Sequence, residues 1–261
     1  MNILYWNLNN KSNSKYIKKI IISKNIDIAI FSEFSSINEN ELLKLLENKY
    51  RMIMDRETSE HIFLIYKSNI QVIVKQECDR YSLFTLDTCF RKYNLVGVHL
   101  EDKRNRNNND LLYSAQLVMN DINDLERETK CDNTIVIGDF NNNPYDSALV
   151  HPAGFNAVLF KDIINRNEYR KFKEKKFKRF YNPLLNSIRE ENKNYGSFYY
   201  SSDTNGIIWN SIDQVIVRKP LVDSIINVEY IRKIEKVSLI TSVVPNKNIS
   251  DHLPLLVTIG E

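Results

Sequence analysis

A chain of 261 residues, 43% hydrophobic and 26% charged, can bury a sizeable core, which excludes a disordered composition. Its net charge of +3 identifies no partner, and its six scattered glycines exclude a phosphate-cradling glycine loop or a dinucleotide fingerprint. Three cysteines without a C-x-x-C pair suggest free thiols, and no apolar run approaches the roughly 18–20 residues that span a bilayer. Met1 leads directly into a strand and not a signal peptide. The expectation is a soluble cytoplasmic protein with no membrane insertion.

Asn2–Trp6 reads as a strand ending in Asn7. Ser12–Lys24 follows as an amphipathic helix, with Ile17, Ile20 and Ile21 at helical spacing. Asp27–Phe31 is a second strand, ending in Ser32 and Glu33. Asn38 with Glu41 has the pattern of a capping box opening a Leu-rich helix to Lys49. His61–Tyr66 and Ile70–Val74 flank a short polar link and suggest a hairpin. Tyr81–Phe90 and Asn94–Val98 are two further strands, the second ending in His99. Asp110 is expected to cap a helix carrying Leu111, Ala115, Val118, Ile122 and Leu125.

The run Ile135–Ile137 reads as a strand buried on both faces. Gly138 then lets the chain turn or approach another group closely, and Asp139 and Asn141 follow. Pro144 opens a short helix to about Val150. Residues 161–180 hold nine Lys or Arg against three acids and are expected to be helical; phosphate-backbone contact competes there with an ordinary solvated face. Ile212–Val217, Val237–Val244 and Leu253–Ile259 complete the strands. No repeat, linker or boundary appears, so residues 1–261 are expected to form a single domain.

Four apolar runs end in chemistry: Asn7, Glu33, His99 and Asp139. Two later strands begin with it, at Asp213 and at Asp251-His252. Strand ends and neighbouring strand starts can meet at one sheet edge. An oxygen-rich set with two histidines suits a hard cation and hydrolysis of a phosphate ester.

The segments N-I-L-Y-W-N, D-I-A-I-F-S-E-F, L-V-G-V-H-L, V-I-G-D-F-N-N-N-P, I-D-Q-V-I-V and S-D-H-L-P-L resemble, in order, the motifs of the endonuclease/exonuclease/phosphatase superfamily. The resemblance runs from Asn2 to Ile259. It implies an α/β (α+β) fold, a four-layer α/β/β/α sandwich of two mostly antiparallel sheets packed face to face with outer helices. It implies Mg²⁺, with Mn²⁺ as a substitute, held by Glu33 with Asn7 and Asp251. It implies that Asp213 pairs with His252, that Asp139 and Asn141 orient the attacking water and a phosphate oxygen, and that His99 binds the phosphate or assists the leaving group. The base is left open between Asp139 and the His252–Asp213 pair.

The expected activity is a nuclease-like, metal-dependent phosphodiester hydrolase, with DNA and RNA both open as partners. A phosphatase or phosphodiesterase on a small or lipid-linked ester is the alternative, and a catalytically silent binding module a third. Lys103, Arg104 and Arg106 follow His99 and are candidate substrate contacts. Trp209 is a candidate for base stacking, weighed against simple packing under a loop.

Overall fold

The apolar runs of the sequence become the inner strands of two sheets. The computed structural model describes residues 1–11, 13–34, 39–54, 62–103, 106–187, 195–201 and 206–260. The chain opens with β1 (Asn2–Asn7), α1 (Ser14–Ser23), β2 (Ile28–Ser32), α2 (Glu39–Leu45), β3 (Tyr50–Met54) and β4 (Phe63–Lys67). There follow β5 (Gln71–Cys78), β6 (Tyr81–Asp87), β7 (Lys92–His99), α3 (Asn108–Thr129), β8 (Thr134–Asp139), α4 (Ser147–Val150), β9 (Ala157–Val158) and α5 (Lys161–Arg166). Next come β10 (Tyr169–Phe172), β11 (Lys175–Lys178), β12 (Phe180–Tyr181), β13 (Phe198–Tyr199), β14 (Trp209–Asn210), β15 (Asp213–Val217) and β16 (Ile225–Tyr230). The chain closes with β17 (Lys233–Ile234), β18 (Val237–Ser238), β19 (Ile240–Thr241), β20 (Val244–Pro245) and β21 (Leu255–Ile259).

One sheet has the order β16-β21-β1-β2-β4-β3 and the other β5-β6-β7-β8-β15-β12-β9. Pairings are antiparallel except β1–β2, β7–β8 and β9–β12. Side chains alternate across a strand, and the second sheet uses this to serve two cores. Leu95, Ile135, Ile137, Val215 and Val217 join the core shared with the first sheet. Val96, Val136 and Ile216 point the other way, onto Ala115, Val118 and Ile122 of α3. The result is an α/β sandwich with helices outside two face-to-face sheets, as the resemblance implied.

Several expectations are corrected. Residues 61–74 do not form a hairpin: β4 and β5 lie in different sheets. Both flanks of β4 are already taken, by β2 and by β3, a strand the sequence reading lacked. Ser68 N–H donates to Lys49 O, which ties the link to the first sheet as the chain leaves it. The 161–180 segment is not one helix. After α5 it becomes the β10–β11 hairpin, turning at Lys173 (φ 53°). Val237–Val244 is not one strand: β18 pairs back with β17, while β19 turns at Ser242 (φ 58°) to pair with β20. Asp110 is not the cap of α3. Asn107 is, accepting from Asn109 and Asp110 N–H, while Asp110 reaches back to Asn107 N–H. The helix after Glu39 ends at Leu45, short of Lys49. Ser12, Asn38, His61 and Arg104 lie outside the described residues.

Candidate active site

The site is built by strand register. In the second sheet Asp139 is paired with His99 of β7 on one side and with Asp213 of β15 on the other. In the first, Asn7 stands beside Ser32 at the parallel ends of β1 and β2. The two sheets therefore bring their chemistry-bearing ends to one edge. Gly138 makes the β7–β8 approach possible: a Cβ there would lie 1.9 Å from Val98 O. Glu33, just past β2, and Asn141, two residues past Asp139, both take left-handed φ values, 46° and 48°. That conformation costs a non-glycine residue about 1–2 kcal/mol. At Glu33 it is held by Asn10 N–H, which donates to Glu33 O at 2.6 Å.

His252 Nδ1 lies 2.9 Å from Asp213 Oδ2 and 3.8 Å from Asp139 Oδ2, with both aspartates buried. The first of these is the pairing the resemblance implied. Burial opposes the charged imidazole, but Asp213, with Asp139 and Asp251, outweighs it and raises His252 to about 10. Burial, and then the charge of Asp213, raises Asp139 to about 6. His99 Nε2 lies 3.2 Å from Glu33 Oε1, and this contact chiefly holds the Glu33 carboxyl down at about 2.

Asn7 Nδ2 donates to Glu33 Oε1 at 3.0 Å and to Asp139 Oδ2 at 3.3 Å, linking the carboxylates of the two sheets. Its Oδ1, the atom a cation would use, accepts Asn9 N–H at 3.0 Å. Asn141 N–H donates to Asp139 Oδ1, and its amide donates to Leu100 O, joining the loops that follow β7 and β8. Asp251 is partly exposed, one residue before His252.

The remaining candidates spread outward. Lys103 reaches Asp146 at 2.5 Å, in the loop after Asn141. Arg106 is exposed just before the cap of α3. Trp209 is half-buried, edge-on to Tyr199 at 5.4 Å and 6.3 Å from Tyr195, so the chain's own rings crowd it.

Some supporting residues had no role in the sequence reading. Ser250 Oγ donates to Asn7 O at 2.7 Å and accepts His252 N–H at 3.0 Å. Trp6 Nε1 donates to His252 O. Phe198 bridges to His252 through the backbone and packs on its ring at 4.8 Å. Asn143 accepts from Ser211 N–H and donates to Asn210, fastening the Asn141–Asn143 loop to the strand before Asp213. Ser250 stood inside the quoted S-D-H segment; the contact of Phe198 with His252 carried no signal, since the two lie far apart along the chain.

A hard cation fits this set. The donors are carboxylate oxygens, Glu33 is held ionised, and Asp213 Oδ1 is buried with no hydrogen-bond partner among the described residues. Asp139, Asp213 and His252 offer ligand atoms within 4.8 Å of one another. Asp213 and His252 already satisfy each other at 2.9 Å. The Glu33–Asp139 side, which Asn7 bridges, is therefore the better seat for a cation.

The chain matches no protein-family model and no curated protein sequence. Solved structures do match. Truncated TDP2 from Caenorhabditis elegans aligns with a TM-score of 0.64 at 12% identity, over 100% of this chain and 97% of that one. A 3'-5' exonuclease (NExo) from Neisseria meningitidis gives 0.62 at 11%, over 100% of both. An endonuclease/exonuclease/phosphatase family protein from Bacteroides thetaiotaomicron gives 0.61 at 14%, over 98% and 96%. This chain has their fold.

Proposed function

We propose that residues 1–261 form a single hydrolase domain that cleaves phosphodiesters in nucleic acid with the help of Mg²⁺ or Mn²⁺. The observation that carries the reading is the buried His252–Asp213 contact of 2.9 Å beside Asp139, at the edge that also gathers Glu33, His99 and Asn7. A 3'-5' exonuclease among the similar folds supports nucleic acid as the substrate class. Three free cysteines fit a reducing, cytoplasmic setting, and no helix among the described residues is long and apolar enough to cross a membrane.

Glu33 would hold the cation, with Asp251 reaching it directly or through water and Asn7 fixing the Glu33 and Asp139 carboxylates. When bound, the metal neutralises phosphate charge and the charge building on the leaving oxygen. Asp139 takes the proton of the attacking water, which Asn141 helps to orient. His252, kept cationic by Asp213, donates to a phosphate oxygen and stabilises the transition state. His99 orients Glu33 and faces the leaving-group side.

These roles fix a pH profile. Asp139 must be ionised to accept a proton, so kcat should rise with pH on an acid limb that lies at about pH 6 without metal and lower with a cation bound beside it. His252 must stay charged, so kcat should fall through about pH 10. A profile flat between these values and beyond them would remove both assignments.

Glu33→Gln should raise the Mg²⁺ concentration needed for half-maximal activity by about tenfold or more, because the carboxamide lacks the charge a hard cation requires. Wild-type metal dependence in the variant would take Glu33 out of the metal site. The function itself is tested with plasmid, single-stranded DNA, RNA, a phosphomonoester and a small phosphodiester, with Mg²⁺ and with EDTA. Metal-dependent cleavage of nucleic acid is expected. Turnover of the small esters alone would transfer the site to a phosphatase or small-ester phosphodiesterase, and turnover of nothing would leave a binding module.

A further inference from the structure

The outer face of α3 carries a second polar surface. Gln116, Asn120, Asn123 and Arg127 follow the spacing of a single helical stripe. Across a cleft of about 700 Å³ they face Tyr169 and Lys176 of the β10–β11 hairpin. The hairpin pairs with neither main sheet. Its base is held by Lys178, which pairs with Asp132 at 2.7 Å, beside the start of β8. Asp139 ends that six-residue strand, so the base stands about 17 Å along it from the site.

The hairpin is built against its own stability. Lys171 lies directly opposite Lys176, and like charges so placed repel. Arg170, Lys171, Lys173, Lys175 and Lys176 are all exposed. Among the described residues, Lys178 alone of the hairpin lysines has carboxylate partners. The acids lining the cleft are already engaged: Asp124 by Arg127, and Glu126 and Asp132 by Lys178. What remains in the cleft is the uncompensated Lys176 ammonium, a stripe of carboxamides and an exposed tyrosine ring, 44% accessible, with Lys171 opposite Lys176 and Lys173 and Lys175 exposed on the rest of the hairpin. Regularly spaced phosphates with bases between them complement that set.

We propose that this cleft is an exosite for the sugar–phosphate backbone of a polynucleotide, holding the strand while its scissile phosphate lies at the Asp139 edge. The proposal rests on the nucleic-acid reading above. It adds a length requirement: at about 3.4 Å per phosphate in a duplex, roughly five residues separate the two sites. Shorter substrates would reach only one of them.

The test uses two variants of the whole chain. One replaces Lys171, Lys173, Lys175 and Lys176 with Gln. The other carries Asn120→Asp and Asn123→Asp, leaving the hairpin intact. Binding of a fluorescent oligonucleotide of about 20 residues is read by anisotropy in EDTA between about 50 and 200 mM salt. Hydrolysis of the same oligonucleotide and of bis(4-nitrophenyl) phosphate is followed with Mg²⁺.

The lysine variant should bind at least about tenfold more weakly at low salt, with a salt slope smaller by about 3, since each neutralised phosphate contributes about 0.7–0.9. The asparagine variant should weaken binding in the same direction, and turnover of the small ester should not change. Unchanged affinity and slope in both variants overturn the exosite, as does a wild type that fails to bind. If the lysine variant does not fold, the asparagine variant decides. Wild type that cleaves nucleic acid while the variants bind normally removes the exosite and keeps the proposed function. Lysine-dependent binding without cleavage does the reverse.

Discussion

Replacing His252 with Ala is expected to lower kcat by about 10²–10⁴, the range for loss of a positioned acid–base or charge-stabilising group. The side chain is buried between two carboxylates, 2.9 Å from Asp213 and 3.8 Å from Asp139. Its cationic form exists because those carboxylates outweigh the burial that opposes it. Without the imidazole, Asp213 keeps a buried charge and loses its partner, so Asp139 faces an unscreened neighbour directly across the ladder. Because the pair acts as one unit, Asp213→Asn combined with His252→Ala should cost little more than His252→Ala alone. The check is kcat for the two single variants and the double, each normalised to folded protein. Losses that multiply would show independent roles and dissolve the pair.

Arg218→Met should destabilise the fold by about 3–5 kcal/mol while leaving kcat at low temperature near wild type. Arg218 is fully buried at the end of the second sheet remote from the site. Its Nε donates to Glu126 Oε1 at 2.8 Å, its Nη1 donates to Lys178 O and Arg179 O, and its guanidinium lies 3.8 Å over the Phe180 ring. Thr134 Oγ1 donates to the same Glu126 oxygen, and Lys178 stands near the other. Methionine fills much of the volume but leaves the Glu126 carboxylate short of charge and takes a donor from two carbonyls, Lys178 O keeping only Asn156 Nδ2 among the described residues. Denaturant titration of wild type and variant measures the difference. A loss below about 1 kcal/mol would mean that the cluster is not the clamp its burial suggests.

The residues most legible in the sequence were those placed by strand termini. Asn7, His99, Asp139 and Asp213 are positioned by register, and register follows from apolar alternation, which the sequence displays. The His252–Asp213 contact was legible for the same reason, since β15 opens with one and the segment before β21 carries the other. Asn7 was legible as a member of the site, but its part was not. The direction of its carboxamide depends on Asn9 N–H and on a carboxylate from each sheet, and neither distance can be read from a string. The 61–74 hairpin failed because two strands near in sequence pair only if no third strand claims the edge, and β3 claims it. The basic segment is helical only over Lys161–Arg166, because beyond it Tyr169–Phe172 and Lys175–Lys178 pair with each other across a tight turn at Lys173. Its lysines were visible; the carboxamide stripe of α3 that faces the hairpin was not, because the two are joined only in the folded chain.

The bridging carboxamide of Asn7 also bears on the order of events in refolding. Asn7 ends a strand of one sheet and Glu33 follows another of its strands, while His99, Asp139 and Asp213 belong to the other sheet. His252 is tied to β1 from almost the full length of the chain away, through Ser250 and Trp6. Contacts of such long sequence separation form late, because the entropy of closing the loop must be met first. The β5-β6-β7-β8 ladder is local enough to form early, whereas β21 must return to β1 from the far end of the chain, so a refolding chain should regain much of its strand circular dichroism ahead of its divalent-ion affinity. The lag between those signals would time the docking of the sheets.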